Sequence, residues 1–391
     1  MIKNNYTCGI DIGTHSTKVV VVGFDKSKNE TTVLATGISE TKGMRLGYIN
    51  NTDKTTESIK KAVKQVETTL GIKIKKAYLS IGGVNLGSTI STGSVIISKA
   101  DQEITNLDVS KAIANSEENL EIVNKKIIHT IPLSYKLDGK DIYARPEGLH
   151  GIKLEVKTLF VTCLKQNVED IITACGLAKI EIEEITASPL ITASVLLNSK
   201  QKIAGCVIID IGAETVSTAV YENNLPISVA VFPIGSMDIT KDIALGLKIS
   251  LEEAESIKLG SVIGGDYSKK KIDEIIEARL GDVFELLGNQ LKRLKRNELL
   301  PAGVVITGGG SAINNIETIA RNQLKLPSRV GSLDPSINNK IKIRDFSWYT
   351  ALGLALSTDN DSSDDLSNNI MRENMKEVKS FFKSIFSQLL P

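Results

Sequence analysis

Ile10-Asp11-Ile12-Gly13-Thr14-His15-Ser16-Thr17-Lys18 and, half a chain later, Ile209-Asp210-Ile211-Gly212-Ala213-Glu214-Thr215 are the two stretches whose reading decides the fold. Each ends an apolar strand and opens a tight turn. A β-branched strand returns from each turn, at 18–22 in the first copy and 216–221 in the second. A third strand follows both times, at 31–39 and 227–232. The shared Ile-Asp-Ile-Gly tetrapeptide is weak evidence alone. The same strand–turn–strand–strand order around both copies indicates an internal duplication.

The first copy is followed by a predicted helix over 56–70, with Ile59, Ala62, Val63, Val66 and Leu70 at helical spacing and Gly71 at its end. A strand over 77–81 comes next. Between 83 and 165 the texture changes: short strands at 93–97, 127–132 and 155–163 flank a polar helix near 107–120. This reads as a small α+β unit inserted into the first domain. A helix over 167–175, capped by Gly176, resumes the main body. After the second copy, 239–294 is mainly helical. A strand over 303–307, the turn Gly308-Gly309-Gly310 and a helix opening at Ser311 follow, with a last core helix over 346–356.

The composition sets limits on this plan. At roughly 150 residues per domain, 391 residues suggest two to four compact units. A 41% hydrophobic content suffices for real cores and excludes global disorder. With 47 basic against 46 acidic residues there is no excess of cations to bind a polyanion, so nucleic acid is not an expected partner. No run reaches the roughly 18 apolar residues of a spanning helix. The opening five residues lead into a strand, and no secretory leader is expected. Cys8, Cys163, Cys175 and Cys206 have no C-x-x-C spacing and the three histidines form no ligand cluster, so buried free thiols in a reducing cytosol are expected.

The chemistry should sit at the turns. Gly13 lets the backbone present N–H groups to a phosphate. Thr14, Ser16 and Thr17 add hydroxyls, and Lys18 adds a cation. Asp11 can hold Mg²⁺ through its waters. A Rossmann or P-loop reading fails, because a strand follows this turn where those motifs need a helix. Asp210, Gly212 and Thr215 repeat the arrangement, so two facing hairpins would grip a polyphosphate with bound Mg²⁺. Gly308, Gly309 and Gly310 permit close approach of a nucleoside, with the N-terminus of the following helix adding its dipole. Each element alone fits an ordinary turn; the three in this order indicate a nucleotide cleft.

That set resembles the actin, Hsp70 and sugar-kinase superfamily. The resemblance implies ATP and Mg²⁺ as ligands. It places Gly13, Thr14, His15, Ser16, Thr17 and Lys18, with Gly212, Ala213, Glu214 and Thr215, at the phosphates, and Asp11 and Asp210 at the metal. Ala254-Glu255-Ser256-Ile257-Lys258 is similar to the helix whose Glu and Lys approach the ribose in bacterial actins. Pro233-Ile234-Gly235 resembles the segment closing under the phosphates, and Gly308 to Ser311 the adenosine motif. Ile131-Pro132-Leu133-Ser134-Tyr135, Pro146-Glu147-Gly148-Leu149-His150-Gly151 and Val161-Thr162-Cys163 look like the inserted domain 1C of FtsA, the cell-division actin homologue.

The implied architecture is α/β: a duplicated actin-like (ribonuclease H-like) fold with a small α+β 1C insert and a C-terminal amphipathic helix. Subdomain 1A would take 1–82, 166–190 and 339–356, with 1C at 83–165. Subdomain 2A would take 191–238 and 297–338, and 2B 239–296. An acidic linker at 357–370, with Asp359, Asp361, Asp364 and Asp365, would precede a terminal helix at 371–391. Some positions depart from the pattern. Ala213 and Glu214 replace two glycines of the second phosphate loop, so the Glu214 carboxylate should point away or act through the metal. Ser188 stands where relatives orient the attacking water with Glu or Gln, so ATP hydrolysis should be weak or absent. The region after Lys258 is short, so 2B should lack part of its sheet.

In the last segment Met371, Met375, Val378, Phe381, Phe382, Ile385, Phe386, Leu389 and Leu390 cover roughly half of a helix circumference. Arg372, Lys376, Lys379 and Lys383 line one flank. This pattern fits a helix lying in a membrane surface, its lysines meeting anionic headgroups; a groove-binding helix for a protein partner is the competing reading. The FtsA resemblance further implies self-association into filaments and binding of the C-terminal peptide of the tubulin homologue FtsZ through 2B. There Ile276-Glu277-Ala278-Arg279 resembles a motif that nominates Arg279. It also implies other division-complex partners at 1C, and a cytoplasmic, peripheral position on the inner face of the membrane at the division site. A soluble ATP-dependent enzyme or chaperone, and a pilus-type actin-like scaffold, remain alternatives on sequence alone.

Overall fold

The computed structural model of the protein describes residues 6–25, 30–260, 267–333 and 343–357. The acidic linker and the terminal segment, with Lys376, Lys379, Phe381, Phe382, Lys383, Ile385, Phe386, Leu389 and Leu390, lie outside the described residues.

Strand β1 (Tyr6–Ile12) pairs antiparallel with β2 (Ser16–Asp25), and β2 with β3 (Glu30–Glu40). The run Val19 to Val22 is at most 1% exposed, which explains why β2 shows no polar alternation. Full burial of each valine contributes roughly 2 kcal/mol. A small hairpin, β4 (Met44–Arg45) and β5 (Tyr48–Ile49), leads into helix α1 (Thr52–Leu70) and strand β6 (Lys76–Ile81). The helix starts a turn earlier than its apolar spacing predicts. Asn51 caps it by accepting from Lys54 N at 3.0 Å, and Gly71 ends it in the left-handed region.

The insert comprises β7 (Gly87–Ile96), α2 (Asn106–Glu118), β8 (Lys125–Leu137), β9 (Lys140–Ile142) and β10 (Lys153–Leu164). Its four strands form a separate antiparallel sheet in the order β7-β10-β8-β9. They run longer than the short apolar stretches predict, because one exposed face carries Thr, Ser and Lys that hide the alternation. Ile104, Val109, Ala112, Leu154 and Val156 give the insert its own core. The insert also reaches the second half: Val229 N donates to Ser88 Oγ at 2.8 Å, and Ser88 Oγ donates to Val229 O at 3.2 Å.

The chain returns through α3 (Lys165–Leu177), β11 (Glu181–Ala187), α4 (Ser188–Leu196) and α5 (Ser199–Ala204). Gly176 lies inside α3, and Ala178 is the cap. The second half follows with β12 (Cys206–Ile211), β13 (Val216–Glu222), β14 (Leu225–Phe232), α6 (Ser236–Leu247), α7 (Leu251–Lys258) and α8 (Lys269–Arg293). Then come β15 (Val304–Thr307), α9 (Ile316–Leu324), β16 (Ser328–Val330) and α10 (Tyr349–Leu356). Among the described residues, 236–293 holds three helices and no strand. The expected helix over 346–356 is broken: Phe346–Trp348 is a 3₁₀ turn, capped by Asp345, before α10 begins.

The duplication is explicit in the sheets. The first has the order β11-β6-β1-β2-β3 and the second β16-β15-β12-β13-β14. In each, the hairpin and third strand pair antiparallel and the other two strands add in parallel. The two faces of β12 belong to different cores. Cys206 and Ile208 join the first half's cluster, while Val207, Ile209 and Ile211 join the second. Helix α10 packs back onto β1 so closely that a Cβ on Gly9 would lie 2.4 Å from Ala351 O. All four cysteines are buried and free. Burial pushes the thiols of Cys8, Cys175 and Cys206 up to about 12, so they are inert structural groups.

Candidate nucleotide-binding cleft

The two hairpins are built alike. Ile12 opposes Thr17 and Ile211 opposes Val216. Gly13 N donates to Ser16 O at 3.1 Å, and Gly212 N donates to Thr215 O at 2.9 Å. The turns therefore present the backbone of 13–16 and 212–215 at equivalent sheet ends. Asp11 opposes Lys18, which puts both on one face of the hairpin, and Lys18 Nζ donates to Ser16 Oγ at 2.9 Å. Thr17 points the other way. Its hydroxyl is 2.8 Å from Thr41 Oγ1 in a buried pair, so the alternation of the strand removes it from the cleft-facing set.

Asp11 and Asp210 come together at the ends of β1 and β12. Burial raises Asp11 above the usual carboxylate range, partly offset by the Ser80 hydroxyl, which donates to Oδ1 at 2.6 Å, and by Lys18. Burial, and after it the charge of Asp11, pushes Asp210 up to about 7, against the pull of Lys18 and a hydrogen bond with Thr350. Two oxygen-donor side chains that mutually resist ionisation fit a hard divalent cation, which would relieve the repulsion. Mg²⁺ is held by one or two carboxylates together with water and substrate phosphates. Among the described residues no larger His, Cys, Asp or Glu group could hold a metal. A bound Mg²⁺ would supply charge neutralisation at the phosphates, and Lys18 would add its own cation beside them.

The floor of the cleft comes from α6 and α7. Ser236 N donates to Gly212 O at 2.9 Å and Met237 N to Ala213 O at 2.8 Å, which ties the segment at Gly235 beneath the second hairpin. Gly235 N in turn donates to Asp238 Oδ2 at 3.0 Å. Lys258 is buried and donates to Ser236 O at 3.2 Å, Thr240 Oγ1 at 2.9 Å and Glu255 Oε2 at 2.7 Å. Burial alone would raise Glu255. The hydrogen bonds from Lys258 and Thr240, the Lys258 charge and His15 at the tip of the first hairpin outweigh it and hold the carboxyl below its usual range. His15 and Glu255 therefore come from opposite halves of the fold and lie near enough for the charge of one to act on the other.

The glycine turn differs from its sequence reading. Gly308 follows β15 with φ 86° and ψ 173°, and Gly309–Ala312 is a single 3₁₀ turn. Ser311 spends its groups closing it, with N donating to Gly308 O at 3.1 Å and Oγ donating to the same oxygen at 2.7 Å. The helix expected at Ser311 begins only at Ile316, because Asn315 adopts a left-handed conformation and restarts the chain. The helix dipole is accordingly displaced from the glycine run. Gly309 has open space around its Cα, whereas Gly308 and Gly310 press against Ile211. Beyond the turn, Lys258, Ile313 and Asn314 share a cavity of about 400 Å³ with Ile272 and Ile276 of α8.

Sequence reasoning missed Ser80, Thr240 and Thr350, whose contacts with the acidic groups come from distant strands and helices and leave no local signal. It nominated Arg279, which lies on α8 outside the cleft. Its Nε donates to Asp242 Oδ2 at 2.6 Å and Nη2 to Oδ1 at 3.1 Å, and Nη1 reaches Asp282 at 3.1 Å. The side chain lines a groove of about 480 Å³ with Pro233, Ile234, Asp238, Lys241 and Leu286. No helix among the described residues is long and apolar enough to cross a membrane.

Comparison with known proteins bears on this geometry. The family model "Cell division protein FtsA" matches residues 207–353, and the model "SHS2 domain inserted in FTSA" matches 83–162. The chain is 30% identical over 375 residues to cell division protein FtsA of Bacillus subtilis (strain 168), covering 90% of this chain and 83% of that protein. Against the FtsA of Pseudomonas aeruginosa the identity is 28% over 347 residues, covering 83% and 82%. In fold it is similar to a PilM–PilN type IV pilus biogenesis complex, with a TM-score of 0.65 and 18% identity over 90% of this chain and 98% of that one. It is also similar to MreB5 of Spiroplasma citri bound to ADP, with a TM-score of 0.53 and 13% identity over 91% and 99%.

Proposed function

The chain belongs to the FtsA family of cell division proteins, and from that membership we propose that it is an ATP-binding, filament-forming adaptor that ties FtsZ filaments to the cytoplasmic membrane. The observation that carries the ATP-binding part is the meeting of Asp11, Lys18 and Asp210 between two equivalent hairpins. That geometry suits a polyphosphate with Mg²⁺. Gly13 to Ser16 and Gly212 to Thr215 would contact phosphates, and Glu255 and Lys258 the ribose. The open face of Gly309 leaves room for the nucleoside. With Ser188 in place of an acid or amide, the nucleotide serves as a conformational ligand and is turned over slowly.

The membrane part rests on sequence. One short amphipathic helix binds weakly, and even a myristoyl chain reaches only about 10⁴ M⁻¹. Polymerisation raises the effective concentration of neighbouring anchors, so filament growth and membrane binding reinforce each other. Co-sedimentation with vesicles containing anionic lipid is expected to retain the full chain and to lose a truncation lacking residues 371–391; equal binding of both removes the anchor.

FtsZ-peptide binding rests on Arg279 and its groove. In the groove Lys241 pairs with Asp238 and Arg279 with Asp242, beside apolar Ile234 and Leu286; a peptide carboxylate would bind by sharing these cations while apolar side chains cover Ile234 and Leu286. Arg279→Glu replaces a bidentate partner of Asp242 with a like charge. It is expected to weaken binding of an FtsZ C-terminal peptide at least tenfold, since losing a charge-assisted hydrogen bond from Arg279 to a peptide carboxylate would cost about 1.5–3 kcal/mol. ATP affinity should stay unchanged, and unchanged peptide affinity by fluorescence anisotropy would sink the assignment.

A further inference from the structure

Glu214 occupies a glycine position of the second phosphate loop in the related superfamily pattern, and its carboxylate is held by the backbone of the other half of the fold. Oε2 accepts a hydrogen bond from Leu46 N at 2.6 Å. Leu46 lies at the tip of the β4–β5 hairpin, so this bond crosses the cleft from one half of the fold to the other. Leu46 and Gly47 are both left-handed, with φ of 50° and 81°. Gly47 is required there on two grounds: its backbone sign, and a Cβ that would lie 2.3 Å from Gly83 Cα.

The same tip holds the root of the inserted domain. Val84 N donates to Leu46 O at 3.3 Å, and Asn85 N donates to Tyr48 Oη at 2.9 Å. Strand β7 of the insert starts two residues further on, at Gly87. One hairpin tip thus touches a phosphate loop on one side and the entry to the insert on the other.

Resting on the reading of the cleft as a nucleotide site, we propose that Glu214 makes the site discriminate between nucleoside di- and triphosphate and passes the difference to the insert. The terminal phosphate of a triphosphate adds negative charge between the hairpins, beside the loop that carries this carboxylate. Repulsion weakens the hold of Glu214 on Leu46, and the loosened tip releases Val84 and Asn85. A diphosphate leaves the Leu46 bond in place. Glutamine at 214 would keep the acceptor and remove the repulsion, while glycine would remove both.

The test uses the full chain, titrated calorimetrically with Mg–ADP and Mg–ATP, with amide hydrogen exchange followed at Leu46, Val84 and Asn85. The wild type is expected to bind ADP about tenfold more tightly than ATP, a usual size for coupling between sites. Both Glu214→Gln and Glu214→Gly should bring the two affinities to within about twofold of each other. Exchange at Val84 and Asn85 should be faster with ATP than with ADP in the wild type, and the same with both in Glu214→Gln. Equal affinities in the wild type, or a preference that survives in both variants, overturns the inference alone. Failure of the wild type to bind either nucleotide overturns it together with the reading of the cleft.

Discussion

Gly308→Ala is expected to abolish ATP binding and to lower the melting temperature by about 3 °C or more. Two effects combine. The backbone at φ 86° and ψ 173° lies in a region open essentially to glycine, which costs a side chain about 1–3 kcal/mol. The new Cβ would stand 2.2 Å from Asp210 Oδ1 and 2.6 Å from Ile211 O, and the second of these is backbone that cannot swing aside. Relief requires pushing the glycine turn off β12, which displaces Asp210 and the second hairpin together. A total near 3 kcal/mol converts to roughly 3–4 °C for 391 residues at about 2.1 cal/mol/K of unfolding entropy per residue. Gly309→Ala is the control, because its Cβ meets nothing within 4 Å. It should melt within about 1 °C of the wild type, as ordinary surface changes do, while weakening nucleotide binding through loss of close approach. Thermal melts and titration of a fluorescent ATP analogue check both; a Gly308→Ala protein that melts and binds normally would show that the turn is not pressed on β12.

Asp210→Asn is expected to stabilise the ligand-free protein at pH 8 while cutting Mg–ATP affinity at least tenfold. The sign follows from the raised pKa. In the unfolded chain an aspartate loses its proton near pH 4, but in the fold burial and Asp11 delay that loss to about pH 7. Between these values the folded state holds a proton that the unfolded state has released. Stability therefore falls as pH rises through the window and stays at its low level above about pH 7. Asparagine carries no such charge, so its advantage over the wild type should grow from pH 4 to pH 7. The ceiling is about 4 kcal/mol for three pH units, reduced because Asp210 is only partly buried and shares its charge with Lys18. With the metal-facing carboxylate gone, the more stable protein should be the poorer binder. An Asn variant that melts below the wild type at pH 8 without ligand would mean that the ionised carboxylate is well solvated or paired.

What could be read from the sequence was set by range. Strands β2 and β12 announce themselves as unbroken apolar runs because both faces are covered, and the two Ile-Asp-Ile-Gly turns repeat because both halves use one sheet plan. The strands of the insert were only half visible, since one face is polar. The β4–β5 hairpin gave no signal: two-residue strands have no period, and its left-handed Leu46 is an ordinary residue in sequence. The helix expected to open at Ser311 begins only at Ile316, because the Ser311 hydroxyl closes a 3₁₀ turn on Gly308 and Asn315 turns left-handed, neither of which a glycine run announces. In the cleft, the groups belonging to the hairpins were legible. Their modifiers were not: Ser80 on Asp11, Thr350 beside Asp210 and Leu46 on Glu214 are contacts between residues far apart in the chain.

The return of α10 onto β1 bears on how this protein emerges from the ribosome. Strand β1 is covered on one face by the last described helix, more than three hundred residues later. At about 5–20 residues per second, roughly 20–70 s pass between the synthesis of Gly9 and that of its neighbour Ala351. Through that interval the nascent first half carries an apolar sheet face without its lid, and the first core cannot close before the residues around 349–356 have been made. Chaperone engagement during synthesis, and rapid proteolysis of chains that stop before residue 349, are the expected consequences of covering an early strand with a late helix.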